Sequence, residues 1–264
     1  MNWLMKCNAN KYFLFSFLIL SLSGCDKENF VEGENSTIIE KSKIDDYVDF
    51  FIDVAIEKDT KLYHPKRWKN GGIKGTDSID IFFHESFKNA QYIDYLKRFV
   101  STVDSIIEDE TVSFNFVESI EQADIVIVKG RSVFETLFET KISLGANYWG
   151  AARIQTDNSD YNNIISAKVW VDRYDDILLN HEFLHCLGFK HTYREYQYMN
   201  PTIGYNPNEL TDLNRKMIYL LYHDGSFGKV TYPMVGDSSY TQQVENIDEY
   251  KNIIKTVLNK RFGF

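Results

Sequence analysis

The chain has 264 residues, of which 44% are hydrophobic and 15% aromatic, enough apolar side chain for one sizeable core. Its formal net charge of −9 argues against nucleic acid as a partner, because a phosphate-binding face needs clustered Lys and Arg. An acidic surface otherwise speaks only to solubility.

Lys6 and Lys11 give a basic start, and Tyr12 to Leu22 is an apolar run too short for a membrane-spanning helix, the layout of a secretion signal. It ends in Leu22-Ser23-Gly24-Cys25, which resembles the lipobox of bacterial lipoproteins. That resemblance implies removal of residues 1–24, lipid on Cys25, and anchoring of the mature chain in the bacterial cell envelope on an extracytoplasmic face. Asp26, Lys27 and Glu28 add a weaker likeness to export signals of surface lipoproteins. Cys7 then leaves with the signal, so Cys186 is the one free thiol and no disulfide forms within the mature chain. Residues 25–43 read as a polar tether without periodicity.

From Ile44, apolar residues recur at helical spacing through Tyr47, Val48, Phe51, Val54 and Ala55, and Gly71, Gly72 and Gly75 then punctuate a loop. This unit, residues 44–75, is read as an N-terminal helix and loop, and its role is not read from the sequence. Ile79 to Phe83 reads as a strand, and a long helix carries Phe87, Ile93, Leu96, Val100, Val103 and Ile107 on one face. Strands follow at Thr111 to Val117, Ala123 to Val128, Gly145 to Ile154 and Ile165 to Val171, the third with glycines that allow a bulge or a close backbone approach. Helices are expected from Asp175 to Leu187, from Leu210 to Tyr222 with a cap near Thr211-Asp212, and from Ile247 to Val257. The order describes an α+β domain over residues 76–222, a mixed sheet with a long backing helix, followed by a smaller helical part and a C-terminal extension, 223–264.

The run His181-Glu182-Phe183-Leu184-His185-Cys186-Leu187-Gly188-Phe189-Lys190-His191 carries the chemistry. Residues four apart on a helix share a face, so His181 and His185 can aim two imidazole nitrogens at one metal ion. Glu182 is rotated about a quarter turn from them, too far to complete the ligand set but placed to act on a water. Gly188 is a natural helix stop, and the reversal lets His191 return as third ligand. Three protein ligands leave a fourth position open, a catalytic arrangement, and imidazole suits zinc better than calcium or magnesium. Cys186 points away from the ligands and reads as a packed core thiol. His64, His84 and His223 lack partner spacing, and Tyr193, Tyr196 and Tyr198 read as packing residues.

With these residues in view, the sequence resembles the metzincin clan of zinc metallopeptidases, and within it the matrixin-like branch, over Ile79 to Tyr222. Besides the zinc motif, Tyr198-Met199-Asn200-Pro201 looks like the family's Met-turn, and Leu213 to Tyr222 like its last catalytic-domain helix. The resemblance implies one zinc on His181, His185 and His191, Met199 beneath it, and Glu182 as general base for hydrolysis of a peptide or protein substrate. It also implies substrate contacts at Ala146, on an edge strand that pairs with extended peptide, and at Pro201. The sequence departs from the family at Lys129 to Ser143, which carries no His, and at Trp170, so no second zinc is expected. Pro201-Thr202-Ile203 lacks the family's pocket Tyr, and pocket preference does not carry over. A monomer is expected. Two other readings remain open at this point: a surface adhesin stabilised by zinc, and a zinc hydrolase of a non-protein amide.

Overall fold

The structure is a computed structural model that describes residues 32–58, 63–69, 78–107, 112–142, 148–157, 163–194, 197–201, 209–223 and 247–264. Cys25 and Ala146 lie outside these residues. In chain order the elements are α1 (Glu32–Ala55), β1 (Ile56–Lys58), β2 (Tyr63–Pro65), β3 (Ser78–Phe83), α2 (Ala90–Ile106), β4 (Ser113–Phe116), a 3₁₀ turn (Ile120–Gln122), β5 (Ile125–Lys129), α3 (Arg131–Leu137), β6 (Gly150–Thr156), β7 (Ile164–Val171), α4 (Asp176–Cys186), α5 (Asp212–Tyr222) and α6 (Ile247–Phe262). No helix among the described residues is long and apolar enough to cross a membrane.

Five strands form a mixed sheet in the order β4-β3-β5-β7-β6. The first four run parallel and β6 is antiparallel to β7 at one edge. Central β5 shows why its sequence reads as an unbroken apolar run. Ile125 and Ile127 face the main core beneath α2 and α4, while Val126 and Val128 join a second cluster with Trp170, Phe134 and Ile142. A parallel strand covered on both sides has no polar face to alternate with. Trp170 is a core residue of that second cluster.

The helices begin where their caps dictate. Asn89 accepts the N–H of Gln91 at the start of α2, Asp175 accepts that of Leu178 at the start of α4, and Thr211 with Asn214 forms a reciprocal capping box on α5.

Two features depart from the sequence reading. Helix α1 begins at Glu32, within the segment read as polar tether, and neither Gly nor Pro interrupts it from Glu34 to Ala55. Residues 56–58 and 63–65 pair as a small antiparallel ribbon that the loop reading passed over, and α3 stands in the stretch read as irregular. Both are short elements, where periodicity gives little signal. Helices α1 and α6 pack into the same core as the sheet. Val48, Phe51, Val54 and Ala55 of α1 and Tyr250, Ile254 and Leu258 of α6 belong to the same hydrophobic cluster as the sheet and α4. Helix α1 is therefore built into the core, with Tyr47 donating to Asp212 at the start of α5.

Candidate metal centre

Helix α4 lies at the centre of the molecule and is buried on nearly all sides: Leu178, Leu179, Asn180, His181, Glu182, Phe183, Leu184 and Cys186 are all inside. Ionisable residues are almost never fully buried without a partner or a task. Its C-terminal end is finished by side chains from far away in sequence. Trp68 Nε1 donates to the carbonyl of Cys186 at 2.8 Å, and the hydroxyl of Tyr222 donates to that of Leu187 at 2.9 Å. These satisfy carbonyls that the end of a helix leaves without partners. The chain then reverses at Gly188, whose φ is +102°. A Cβ there would lie 1.9 Å from the carbonyl oxygen of Lys66, so both the conformation and the space demand glycine.

The reversal brings His191 back to the helical pair. The Nε2 atoms of His181, His185 and His191 lie 3.0–3.1 Å from one another. Among the described residues these three form the group able to hold a metal ion. The Nδ1 atoms of the helical pair are committed elsewhere: His181 Nδ1 donates to the carbonyl of Tyr198 at 2.5 Å, and His185 Nδ1 to that of Phe189 at 2.6 Å. A neutral imidazole that donates through Nδ1 presents a bare lone pair at Nε2. Lone pairs that face each other at this distance repel unless a cation sits among them. The spacing also approaches the edge of about 3.3 Å for a tetrahedron with arms of about 2.0–2.1 Å, the usual zinc–nitrogen distance. The donor set fits a transition-metal ion.

Electrostatics agree with that state. Burial pushes His181 down to about 4 and His185 down to about 3, and His191 is lowered for the same reason, so all three are neutral at neutral pH. Ligation needs the neutral form.

Glu182 sits between His181 and His185 in sequence and is 5% exposed. Its carboxyl rests against strand β6. It accepts the backbone N–H of Ala152, and a Cβ on Gly150 would come within 3.0 Å of its Oε1. The close backbone approach expected of glycines in this strand is thus realised at Gly150. Oε2 is buried without a hydrogen-bond partner. Burial pushes the group up to about 8, against which the Ala152 bond acts only in part. An acid poised near neutrality with one uncommitted oxygen can both take and return a proton.

The remaining sequence expectations sort clearly. Met199 is fully buried in the turn 197–200, closed by Asn200 N donating to the carbonyl of Gln197 at 3.0 Å. Pro201 is exposed directly after that turn. Cys186 is buried, its thiol donates to the carbonyl of Glu182, and burial raises it well above the ordinary thiol range, as suits a core residue. His84 bonds Ser86 and His223 stacks on Tyr219, both away from the triad. Tyr193 is 86% exposed, Tyr198 is core, and Tyr196 lies outside the described residues. Sequence reasoning weighed the side chain of Tyr198 and missed its carbonyl, the group that fixes the His181 ring.

No family model matches the chain, and no curated protein does. Among solved structures it is similar to the crystal structure of metalloproteinase-II from Bacteroides fragilis, at 14% identity and a TM-score of 0.35, a loose likeness covering 66% of this chain. The match spans 60% of that chain's length.

Proposed function

We propose that this chain is a zinc-dependent endopeptidase of the metzincin type, with His181, His185 and His191 as ligands of one zinc ion and Glu182 as general base. The observation that carries the reading is the pairing of a converged three-imidazole set with a buried carboxyl that has an unpartnered oxygen on the same helix. A site kept only for stability has no use for the second feature, since an unsatisfied buried carboxylate oxygen costs about 1–3 kcal/mol or more. Bound zinc supplies a Lewis acid that lowers the pKa of a water toward neutrality and polarises a carbonyl. Glu182, buried with one uncommitted oxygen, takes the proton of the attacking water and hands it to the leaving amine. The carbonyls of Tyr198 and Phe189 hold two imidazole rings in the ligating orientation.

Strand β6 is the last strand of its sheet, and an outer strand is where extended peptide adds by backbone hydrogen bonds. That favours a peptide over another amide. Ala146 and Pro201 are proposed substrate contacts, and Met199 is the proposed Met-turn residue. Lipid on Cys25 is proposed to anchor the mature monomer to the cell envelope, which mass spectrometry of its N-terminus tests; an unmodified N-terminus elsewhere would refute it.

Glu182→Gln tests the function. The amide matches the carboxylate in shape but accepts no proton, so zinc content stays at the wild-type level while hydrolysis of a broad peptide library falls on the order of 10²–10⁴-fold. Wild type that holds zinc and cleaves nothing in the library would end the peptidase reading and leave the adhesin or a hydrolase of a non-protein amide.

A further inference from the structure

His191, the one ligand outside any regular element, has its neighbours on both sides fastened to the C-terminal end of α1, more than 130 residues earlier in the chain. Lys190 N donates to the carbonyl of Val54 at 2.7 Å, and Lys190 Nζ to that of Ile56 at 2.5 Å. Both acceptors lie where α1 ends, among the carbonyls that a helix leaves without intrahelical partners. On the other side, the buried hydroxyl of Thr192 donates to Asp53 Oδ2 at 2.5 Å and accepts the N–H of Arg194 at 3.2 Å. Arg194 returns to α1 again, pairing with Asp46 at 2.7 Å and lying over the ring of Phe50. Thr192 N donates to the carbonyl of Met199 at 2.8 Å, so the ligand segment is pinned between α1 and the Met199 turn.

We infer that α1 is a working part of the metal centre, with Asp53 and Thr192 as positioning residues that hold His191 at ligating distance from the helical pair. A loop ligand has no helix geometry to fix it. Left free, it would lose conformational entropy on binding metal; held in advance, it does not. The bond between Asp53 and Thr192 is charge-assisted and partly shielded from water, the stronger class of such contacts. Helix α1 is itself fixed from behind by α6, through the pairs Lys251–Asp49 at 3.0 Å and Lys255–Asp45 at 2.6 Å, neither of which touches the ligand segment.

The inference rests on the metal reading above, and the test separates the two. Zinc affinity of the full chain is measured by competition with a chelator, and the visible spectrum of the cobalt-substituted chain reports how many imidazoles ligate. Thr192→Val and Asp53→Ala are expected to weaken zinc about 10–100-fold, the usual cost of losing an outer-shell partner, and to shift the cobalt spectrum toward fewer nitrogen ligands. Thr192→Ser, which keeps the hydroxyl, retains wild-type affinity. Lys255→Ala, which removes an exposed ion pair between α1 and α6 without touching the segment, leaves affinity and spectrum unchanged. Thr192→Val binding within about twofold of wild type, or an equal loss in Lys255→Ala, would overturn the inference while the metal reading stands. A wild-type chain that binds neither zinc nor cobalt would overturn the metal reading itself.

Discussion

His181 and His185 differ from His191 in what holds them. The first two ride on α4, four residues apart, and any α-helix at that position delivers them to one point. The third stands on a segment with no regular structure, and its place depends on the reversal at Gly188, on α1 and on the turn through Met199. One half of the ligand set is therefore a local property of the chain and the other a property of the whole fold. Damage to the helical half should remove the ligands themselves, whereas damage to the loop half can leave every ligand present and still spoil the site.

The largest expected effect is on the helical half. His181→Ala or His185→Ala should abolish stoichiometric zinc, read by elemental analysis after dialysis. His191→Ala should keep a weak residual site, because two imidazoles on one helix face still chelate. Equal retention of zinc in all three would break the comparison.

Next is the hinge between the halves. Gly188→Ala puts a Cβ 1.9 Å from the carbonyl oxygen of Lys66 in a backbone conformation that side chains avoid. A loss of about 3 kcal/mol or more is expected, measured by denaturant unfolding of the metal-free chain. A loss below about 1 kcal/mol would mean that the turn relaxes and the loop half is less constrained than described.

A smaller, graded effect concerns Glu182. Its carboxyl ionises near 4.5 when unfolded and near 8 when buried in the metal-free fold. Folding therefore opposes ionisation, and this group's contribution to stability is present below pH 4.5 and lost as pH rises through 8. Metal-free Glu182→Gln should gain on wild type by up to about 1.4 kcal/mol per pH unit across that window, checked by parallel unfolding curves. A difference that does not change with pH would show the carboxyl to be solvated.

The same division explains what the sequence made legible. The helical pair, the Gly188 stop and the place of Glu182 beside the pair follow from spacing alone, and the cap at Thr211 was visible as a residue type in the expected place. The sheet strands were legible because apolar runs with β-branched residues mark buried strands. What stayed hidden were contacts between distant segments. Nothing in a one-dimensional reading says that Trp68 and Tyr222 finish α4, that Asp53 holds Thr192, or that the carbonyl of Tyr198 orients His181. Helix α1 was accordingly set apart from the catalytic segment, because a domain limit drawn from composition cannot register hydrogen bonds such as that from Thr192 to Asp53.

The most direct test of the central claim is X-ray absorption at the zinc edge of the purified full chain, together with its zinc stoichiometry. The account predicts one zinc per chain, bound by three imidazole nitrogens at about 2.0–2.1 Å with a light oxygen ligand in the remaining position. A scattering shell at about 2.3 Å, the signature of a thiolate from Cys186, would contradict it, as would two tightly held zinc ions or none.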